Sequence, residues 1–451
     1  MIGLFLVSCG SVKFDDVEQP PFIETCTANE FVDCVDTTAR ICNATGDGTI
    51  DLECGAGCNA DNGRCNTCVP GALQCTADGL ERCGDDGLPI QEGCAIGCVD
   101  ATVPHCAYVE PSYPALANAC DTIATLPDLT ISSDTTLDTT LDATCTGAVV
   151  AQTGGPSICI VRYGTITIDT SATFTVRGTR ALALVADDRL ALDGILDVSA
   201  DKDVSGPGGG TQISGTQASS ADGGGGAGFR TAGGAGGNDT VDGGAANGGA
   251  AFTDPATSAT FIGGTRAGTS TLFPHKVGGG GGAAILIACR GEVSITGTID
   301  AGGGGGEGGS DVSTAGTVFT GGVGGGSGGN VVLQGLAVSV TGKLFANGGG
   351  GGGGISGDDT HGFDGEDGSR SGSTPARGAG PLQSGGHGGD GGTGVFQPAV
   401  GGRPGVSAGT GGGGGGSTGF FQTYTPTGII PTLDPNVASP TLQTNRTITT
   451  R

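Results

Sequence analysis

The chain has 451 residues and carries 45 acidic against 19 basic side chains, a formal net charge of −26. We expect no nucleic-acid partner, because phosphate backbones are bound by clustered Lys and Arg. Glycine supplies 97 residues, aromatic residues make up only 4%, and Trp is absent. One large apolar core is therefore not expected, because glycine has no side chain to bury and loses the most backbone entropy on ordering. The length predicts two or three domains.

The first residues contain a candidate lipidation motif. Residues 6–9 are Leu-Val-Ser-Cys, followed by Gly10, and this pattern resembles the lipobox of bacterial lipoproteins. The resemblance implies that Cys9 receives a diacylglyceryl thioether and becomes the acylated N-terminus of the mature chain. The preceding apolar stretch is shorter than the roughly 7–15 residues of a secretory signal and lacks Lys and Arg, so a truncated or mistaken start is the alternative.

We predict a lipoprotein signal over residues 1–9 and an acidic tether over residues 10–25. No stretch of the sequence reaches the roughly 18 apolar residues of a membrane helix, so the lipid on Cys9 would be the membrane anchor. The expected location is the outer membrane and cell surface. If Cys9 is not lipidated, we expect a secreted protein.

Twelve of the 17 cysteines lie between residues 26 and 106 and form two copies of one spacing pattern. The numbers of intervening residues are 7, 7, 11, 3 and 6 in the first copy and 6, 7, 10, 3 and 7 in the second. We therefore predict two cysteine modules, residues 26–66 and 67–107, followed by a connector over residues 108–160. Units of about 40 residues cannot hold together by apolar burial alone and need covalent cross-links.

Sixteen cysteines remain when Cys9 is set aside, an even number that predicts complete pairing in an oxidising compartment. Zinc is the alternative, since the Cys54–Cys58 and Cys94–Cys98 spacings alone would suit it. Six cysteines per module are too many for one zinc ion, and His105 is the only nearby histidine, so disulfides are favoured. Six cysteines allow 15 pairings, among which the sequence does not choose. The predicted disulfide cysteines are Cys26, Cys34, Cys42, Cys54, Cys58, Cys65, Cys68, Cys75, Cys83, Cys94, Cys98, Cys106, Cys120, Cys145, Cys159 and Cys289.

Both modules resemble the cysteine-rich repeats near the N-termini of many myxobacterial surface lipoproteins. The resembling residues are Cys68-Val69-Pro70-Gly71, Leu80-Glu81-Arg82-Cys83 and Gly93-Cys94-Ala95-Ile96-Gly97-Cys98. The glycine-rich region is similar to that of the same lipoproteins, in that Gly297-Thr298-Ile299-Asp300-Ala301 leads into a glycine run. The resemblance implies an extracellular binding or spacer role and carries over no catalytic residue.

From about residue 160, short alternating apolar runs predict β-strands. One unit recurs around Gly194, Gly297 and Gly342, with apolar residues four and two positions before the glycine and two after it, and an aliphatic residue ten before it. Such repetition is typical of stacked, equivalent coils. We predict an all-β fold in which residues 161–424 form a β-solenoid, similar to a parallel β-helix, with long glycine-rich loops. Residues 425–451 would be a Thr- and Pro-rich tail, and an antiparallel β-sandwich is the alternative fold.

The strand units are interrupted by glycine tracts, for which two structures are open. The tracts lie within residues 206–249, 278–282, 302–329, 348–357 and 378–416. Such segments bury too little surface to offset the entropy of ordering, which favours disorder. Alternatively, extended or polyproline-like glycine strands pack through backbone hydrogen bonds alone, since buried amides need partners. The sequence does not choose between these structures.

Few residues suggest a catalytic or metal-binding site. Ser327 lies in a Gly-x-Ser-x-Gly pattern, which arises easily by chance in a glycine-rich background. Residues 234–241 nearly match a calcium-binding nonapeptide that needs tandem copies, and the scattered histidines predict no metal site. The acidic loop around residues 358–367 has oxygens suited to Ca²⁺, although a solvated loop is the simpler interpretation. Its candidate ligands are Asp358, Asp359, Asp364, Glu366 and Asp367.

These features predict a non-catalytic, lipid-anchored surface protein that serves adhesion, matrix building or cell contact. Its expected partners are the membrane, extracellular polysaccharide and neighbouring cell-surface proteins. The alternative is a β-helix protein that binds or cleaves polysaccharide with clustered carboxylates. Asp193, Asp197 and Asp300 are the only acids close to the repeated strands, and no pair is apparent among them. Two carboxylates about 5–10 Å apart in a groove would favour the enzyme.

Overall fold

The contacts in the computed structural model divide the chain into two compact units, Met1–Cys106 and Ala107–Arg451. Apart from two 3₁₀ turns, Pro114–Leu116 and Asp142–Thr144, the described secondary structure is β. The predicted signal and tether, residues 1–25, lie outside the described residues. The structure describes residues 26–61, 63–94, 97–121, 126–216, 221–239, 244, 246–252, 260–268, 277–311, 319–356, 361–380, 382–404, 409–434 and 438–451.

Each cysteine module of the first unit contains a three-stranded antiparallel sheet and a short two-stranded ladder. The strands of the first module are β1 (Phe31–Val35), β2 (Thr38–Cys42), β3 (Thr49–Glu53), β4 (Cys58–Asn59) and β5 (Arg64–Cys65). Those of the second module are β6 (Leu73–Thr76), β7 (Gly79–Cys83), β8 (Pro89–Glu92), β9 (Cys98–Val99) and β10 (His105–Cys106). The sequence duplication is therefore also a duplication of structure.

The twelve module cysteines form six disulfides with the same connectivity in both copies: first to third, second to fifth and fourth to sixth. Cys54 and Cys58, whose spacing suits zinc, belong to different bridges. The predicted cross-links are confirmed and the zinc alternative is wrong. The bridges are Cys26–Cys42, Cys34–Cys58, Cys54–Cys65, Cys68–Cys83, Cys75–Cys98 and Cys94–Cys106.

The second unit contains two large sheets, and their strands pair parallel except where β13 joins β14. The antiparallel sandwich is therefore wrong. The first sheet contains β11 (Leu129–Ile131), β13 (Ala148–Val150), β14 (Ile158–Ile168), β16 (Ala181–Leu192), β18 (Ala283–Ala288), β19 (Glu292–Ile295), β21 (Asn330–Gln334), β22 (Ala337–Val340), β24 (Phe420–Pro426), β25 (Thr432–Leu433) and β27 (Gln443–Ile448). The second sheet contains β12 (Thr135–Asp138), β15 (Thr173–Arg177), β17 (Ile195–Asp197), β20 (Thr298–Asp300), β23 (Lys343–Phe345) and β26 (Ala438–Ser439).

The repeated units align in register around their glycines. Leu192 pairs with Ile295, which pairs with Val340, and all three side chains are buried. Each fully buried aliphatic side chain contributes about 1.5–3 kcal/mol relative to an exposed one. These stacked positions therefore belong to a large apolar cluster of the unit.

The leading strand departs from the spacing that the sequence suggests. Leu184 aligns with Leu286 and not with Ile287, and Leu286 aligns with Leu333 and not with Val332. The aliphatic residue ten positions before each glycine is therefore not the equivalent position. The aligned residues Leu184, Leu286 and Leu333 lie ten, eleven and nine residues before the glycines of their copies. The corner length therefore changes by one or two residues between copies, which shifts the leading strand relative to the glycine.

The described parts of the glycine tracts are ordered and packed through their backbones. The segment 410–419 is buried throughout, and its N–H groups donate to the carbonyl oxygens of its neighbours in a period of three. Gly411, Gly414 and Ser417 donate to Ala221, Gly224 and Ala227, and Thr410, Gly413 and Gly416 donate to Ile355, Gly352 and Gly349. A period of three residues per turn is that of the polyproline II helix. The disorder alternative is wrong for these residues.

Six described segments surround the segment 410–419. It donates to the segments around residues 221–227, 346–355 and 399–402, and accepts from those around residues 322–328, 230–237 and 386–392. A Cβ atom built on Gly413 would lie 1.9 Å from the Val323 carbonyl oxygen, far inside van der Waals contact. Only glycine allows backbones to approach this closely, as at the axis of collagen. We call this assembly the glycine bundle.

Two further disulfides cross-link the second unit. Cys145–Cys159 closes a short loop, whereas Cys120–Cys289 joins residues 169 positions apart. Beside the latter bridge, Val109 donates its N–H to the Cys289 carbonyl and forms an antiparallel bridge with Thr450. This cross-link therefore ties the first residues of the unit to the middle of the parallel sheet.

Candidate functional site

Two carboxylates of adjacent strands lie next to each other at the C-terminal ends of β17 and β20. Asp197 and Asp300 are register partners in the second parallel sheet, so their backbones are about 4.8 Å apart, the spacing of neighbouring strands. Asp193 is not part of this pair, and its carboxylate accepts a hydrogen bond from the Thr296 hydroxyl. The sequence does not make this pairing apparent. It bears on the polysaccharide-cleaving alternative, which uses clustered carboxylates.

Two arginines bind the carboxylate pair. Arg370 Nε donates to Asp300 Oδ2 at 2.6 Å, and its Nη2 lies 3.9 Å from Asp197 Oδ2. Arg177, on β15, places its Nη2 3.3 Å from the same Asp197 oxygen. The network therefore contains two carboxylates and two guanidinium groups, and their formal charges cancel.

The remaining carboxylate oxygens accept hydrogen bonds from residues close in sequence. Asp197 Oδ1 accepts from the Ser199 N–H at 3.0 Å and from the Ser199 hydroxyl at 2.6 Å. Asp300 Oδ1 accepts from the Gly302 N–H at 3.0 Å. Each of the four oxygens thus has a donor within the protein.

The environments of the two carboxyl groups move their pKa values in opposite directions. Burial raises the pKa of Asp300, against the hydrogen bond from Arg370. Burial acts in the same direction at Asp197, but the Ser199 hydroxyl and Arg177 outweigh it, so the pKa of Asp197 is lowered. Opposed shifts of this kind occur in acid–base pairs. Asp300 is only 4% exposed and bound to arginine, which limits the access of any substrate to it.

The pair borders a polar cavity of about 260 Å³ that is also lined by Asp201 and Asp367. A neighbouring cavity of about 350 Å³ shares Asp201 and is lined by Lys202, Asp203, Glu307 and Asp364. Among the described residues, the side chains around both cavities are mostly charged and include no aromatic ring. This lining differs from the apolar and aromatic lining of typical small-molecule pockets.

The described members of the acidic loop bind backbone amides of neighbouring segments. Asp364 accepts from the Gly308 N–H at 3.0 Å, and Asp367 accepts from the Gly305 N–H at 2.7 Å. Glu366 accepts from the Arg377 N–H at 3.0 Å. In the described part of the chain, no group of three or more His, Cys, Asp or Glu side chains is placed to hold a metal ion. Asp358 and Asp359, the other two calcium candidates, lie outside the described residues.

The remaining sequence candidates do not meet at one site. Ser327 is fully buried in the glycine bundle, where its hydroxyl accepts from the Thr265 N–H at 2.8 Å. Within residues 234–241, the N–H of Asp239 donates to the Asp222 carboxylate at 2.7 Å. His275 lies outside the described residues, as does the lipidation candidate Cys9.

Sequence reasoning missed Arg370 and Arg177 as partners of the acids. Arg370 follows a glycine-rich loop and has no periodic or motif signal near it. Arg370 and Asp300 are 70 positions apart in the sequence and come into contact only through the fold. Arg177 lies at the end of a predicted strand, where an arginine alone does not indicate a partner.

No family model, curated protein or solved structure matches the chain. Within the described residues, no helix is long and apolar enough to cross a membrane.

Proposed function

We propose that this protein is a non-catalytic structural or adhesive protein of the bacterial cell surface. In this proposal, the two parallel sheets are walls of a β-solenoid, Cys9 carries the lipid anchor, and the cysteine modules and glycine bundle project from the outer membrane. The observation that carries the proposal is the glycine bundle. A buried lattice of backbone hydrogen bonds supplies rigidity and presents few side chains for chemistry.

The disulfides support an extracellular or secreted location. All sixteen described cysteines are paired, eight bridges in total, and such pairing forms and persists in oxidising compartments. The net charge of −26 suits an exposed protein, because self-repulsion keeps it soluble. Anchoring in the outer membrane, and kinship with myxobacterial lipoproteins, rest on the sequence resemblance alone.

Fractionation and mass spectrometry test the anchoring. We expect the mature N-terminus to be an acylated Cys9 in the outer-membrane fraction, and Cys9→Ser to move the protein to the soluble fraction. Cys9→Ser leaves all sixteen paired cysteines in place, so disulfide mapping serves as the folding control. An unmodified Cys9 within a protein that remains in the cytoplasm would contradict the proposal.

A second candidate function is the binding or cleavage of polysaccharide, which the Asp197–Asp300 pair favours. Retaining glycosidases use two carboxyl groups about 5 Å apart, and the pair lies on adjacent strands beside a cavity. The test is the release of reducing ends from a panel of bacterial polysaccharides. Release that is abolished by Asp197→Asn but kept in Asp201→Asn would favour an enzyme, whereas glycan-array binding without release would favour adhesion.

A further inference from the structure

The third strand of the first cysteine module, β3, is an exposed sheet edge. Within the described part of the chain, β3 pairs only with β2. All five of its residues are exposed, including Ile50 at 52% and Leu52 at 50%. Because side chains alternate along a strand, these two apolar side chains share one face. An exposed edge with apolar side chains is a template for another strand.

The alternation of hydrogen-bonded and non-hydrogen-bonded pairs between β2 and β3 shows which backbone groups of β3 face outwards. Asn43 donates to the Gly48 carbonyl at 2.9 Å and Cys54 donates to the Thr37 carbonyl at 2.9 Å, at the two ends of the β2–β3 ladder. Hydrogen-bonded and non-hydrogen-bonded pairs alternate in an antiparallel ladder, so the N–H and C=O groups of Thr49, Asp51 and Glu53 point away from β2. These groups form a row along the outer edge.

The equivalent strand of the second module, β8, has an outer edge that is protected against strand addition; we call this a blunted edge. Pro89 of β8 lies five residues before Cys94, as Thr49 lies five before Cys54. Gly84 donates to the Leu88 carbonyl, so by the same alternation position 89 faces outwards, and its proline has no N–H to offer. Proline at an edge is a common protection against strand addition. Glu92 also replaces the apolar residue that Leu52 supplies in the first module.

We infer that β3 is a docking edge for an extended, basic peptide segment of a partner protein, which adds as a fourth strand. Residues 26–66 contain seven acidic and two basic side chains, and Asp51 and Glu53 lie on β3 itself. Arg40 contacts Asp33 at 3.4 Å and Asp51 at 3.5 Å, which leaves the module acidic. A second copy of this chain is disfavoured by its charge of −26, because like charges oppose association. Alternating apolar residues on the partner would cover Ile50 and Leu52.

The test is fluorescence anisotropy of the full-length protein with a labelled peptide of alternating Lys and Val. We expect binding that weakens with added salt. Thr49→Pro, which copies the residue of the second module, should weaken binding at least about threefold, because one outward donor is lost. Leu52→Lys should weaken it about tenfold, because it removes apolar contact and adds repulsion. Disulfide mapping of both variants checks that the module has folded.

Gln91→Pro is the matched control, because it places proline on the edge that is already blunted, and it should leave the affinity unchanged. A peptide of alternating Glu and Val should not bind. The inference is overturned if the Lys-Val peptide does not bind, if correctly folded Thr49→Pro binds it as tightly as the native protein, or if the Glu-Val peptide binds equally well. Self-association that Thr49→Pro abolishes would assign the edge to a second copy and overturn the basic-peptide partner.

Discussion

At the scale of single residues, the Asp197–Asp300 pair illustrates how a sheet brings together groups that the sequence keeps apart. Parallel register places the two carboxylates on neighbouring strands, and Arg370 from a glycine-rich loop bridges them. Leaving one buried charge without its partner is far more destabilising than losing a surface ion pair. The network therefore holds the loop of Arg370 against the second sheet.

We predict that Asp197→Asn destabilises the protein in a pH-dependent manner. The pKa of Asp197 is lowered in the folded state, with burial opposing the shift and Ser199 and Arg177 producing it. Such a carboxylate stabilises the fold above its unfolded pKa, and the contribution disappears as the pH falls through the folded pKa. At pH 7 the substitution should lower the free energy of unfolding by about 1.5–3 kcal/mol, the scale of a hydrogen bond to a charged group.

Thermal melts at decreasing pH measure this effect. The difference between native protein and Asp197→Asn should shrink as the pH falls below about 4, the usual range of carboxyl groups. Asp201→Asn, at an exposed acid of the same cavity, is the control and should melt close to the native protein at each pH. A difference that stays constant down to pH 2 would contradict the lowered pKa of Asp197.

At the scale of elements, the composition of the glycine segments does not show that they pack into an ordered bundle. The strands were predictable because Val, Ile and Leu alternate around Gly194, Gly297 and Gly342. The packing of the glycine segments was not predictable, because it depends on which distant segments lie side by side, as the six neighbours of the segment 410–419 show. The register of β18 and β21 was missed for a related reason, since the corner length changes by one or two residues between copies.

We predict that Gly413→Ala is severely destabilising although it adds only one methyl group. Its Cβ would lie 1.9 Å from the Val323 carbonyl oxygen, and a backbone fixed by hydrogen bonds on all sides cannot move away. The free energy of unfolding should fall by about 2–3 kcal/mol or more, the scale of overpacking in a dense core. Chemical denaturation monitored by circular dichroism measures the change.

The matched control is Gly380→Ala, at an exposed glycine of the same tracts. A Cβ there meets nothing within 4 Å, so the change should stay within about 1 kcal/mol and stabilise where Ala restricts the unfolded chain. Equal effects of the two substitutions would mean that close backbone packing does not hold the bundle together.

At the scale of the whole molecule, the two units are stabilised in different ways. In the described part of the first unit, the buried apolar residues are Ala39, Leu80 and four disulfide-bonded cysteines. The second unit has two extensive apolar clusters in addition to its glycine bundle. Cysteine spacing predicted the cross-linked modules, but not the connectivity, because sulfur pairing depends on how the strands fold back.

We predict that reduction unfolds the first unit and leaves the second folded. Without its bridges, each 40-residue module buries too little apolar surface to offset its conformational entropy. Hydrogen exchange measured by mass spectrometry, with and without a reductant, should show loss of protection in β1–β3 and β6–β8 and retained protection in β16 and β21. A Cys120→Ser/Cys289→Ser variant, which keeps all six module bridges, should show the opposite preference: intact modules, and faster exchange near β18, where the long-range cross-link is missing. Retained protection of the modules after complete reduction would mean that packing and not sulfur holds them, and would remove the strongest sign that the protein is built for an oxidising environment.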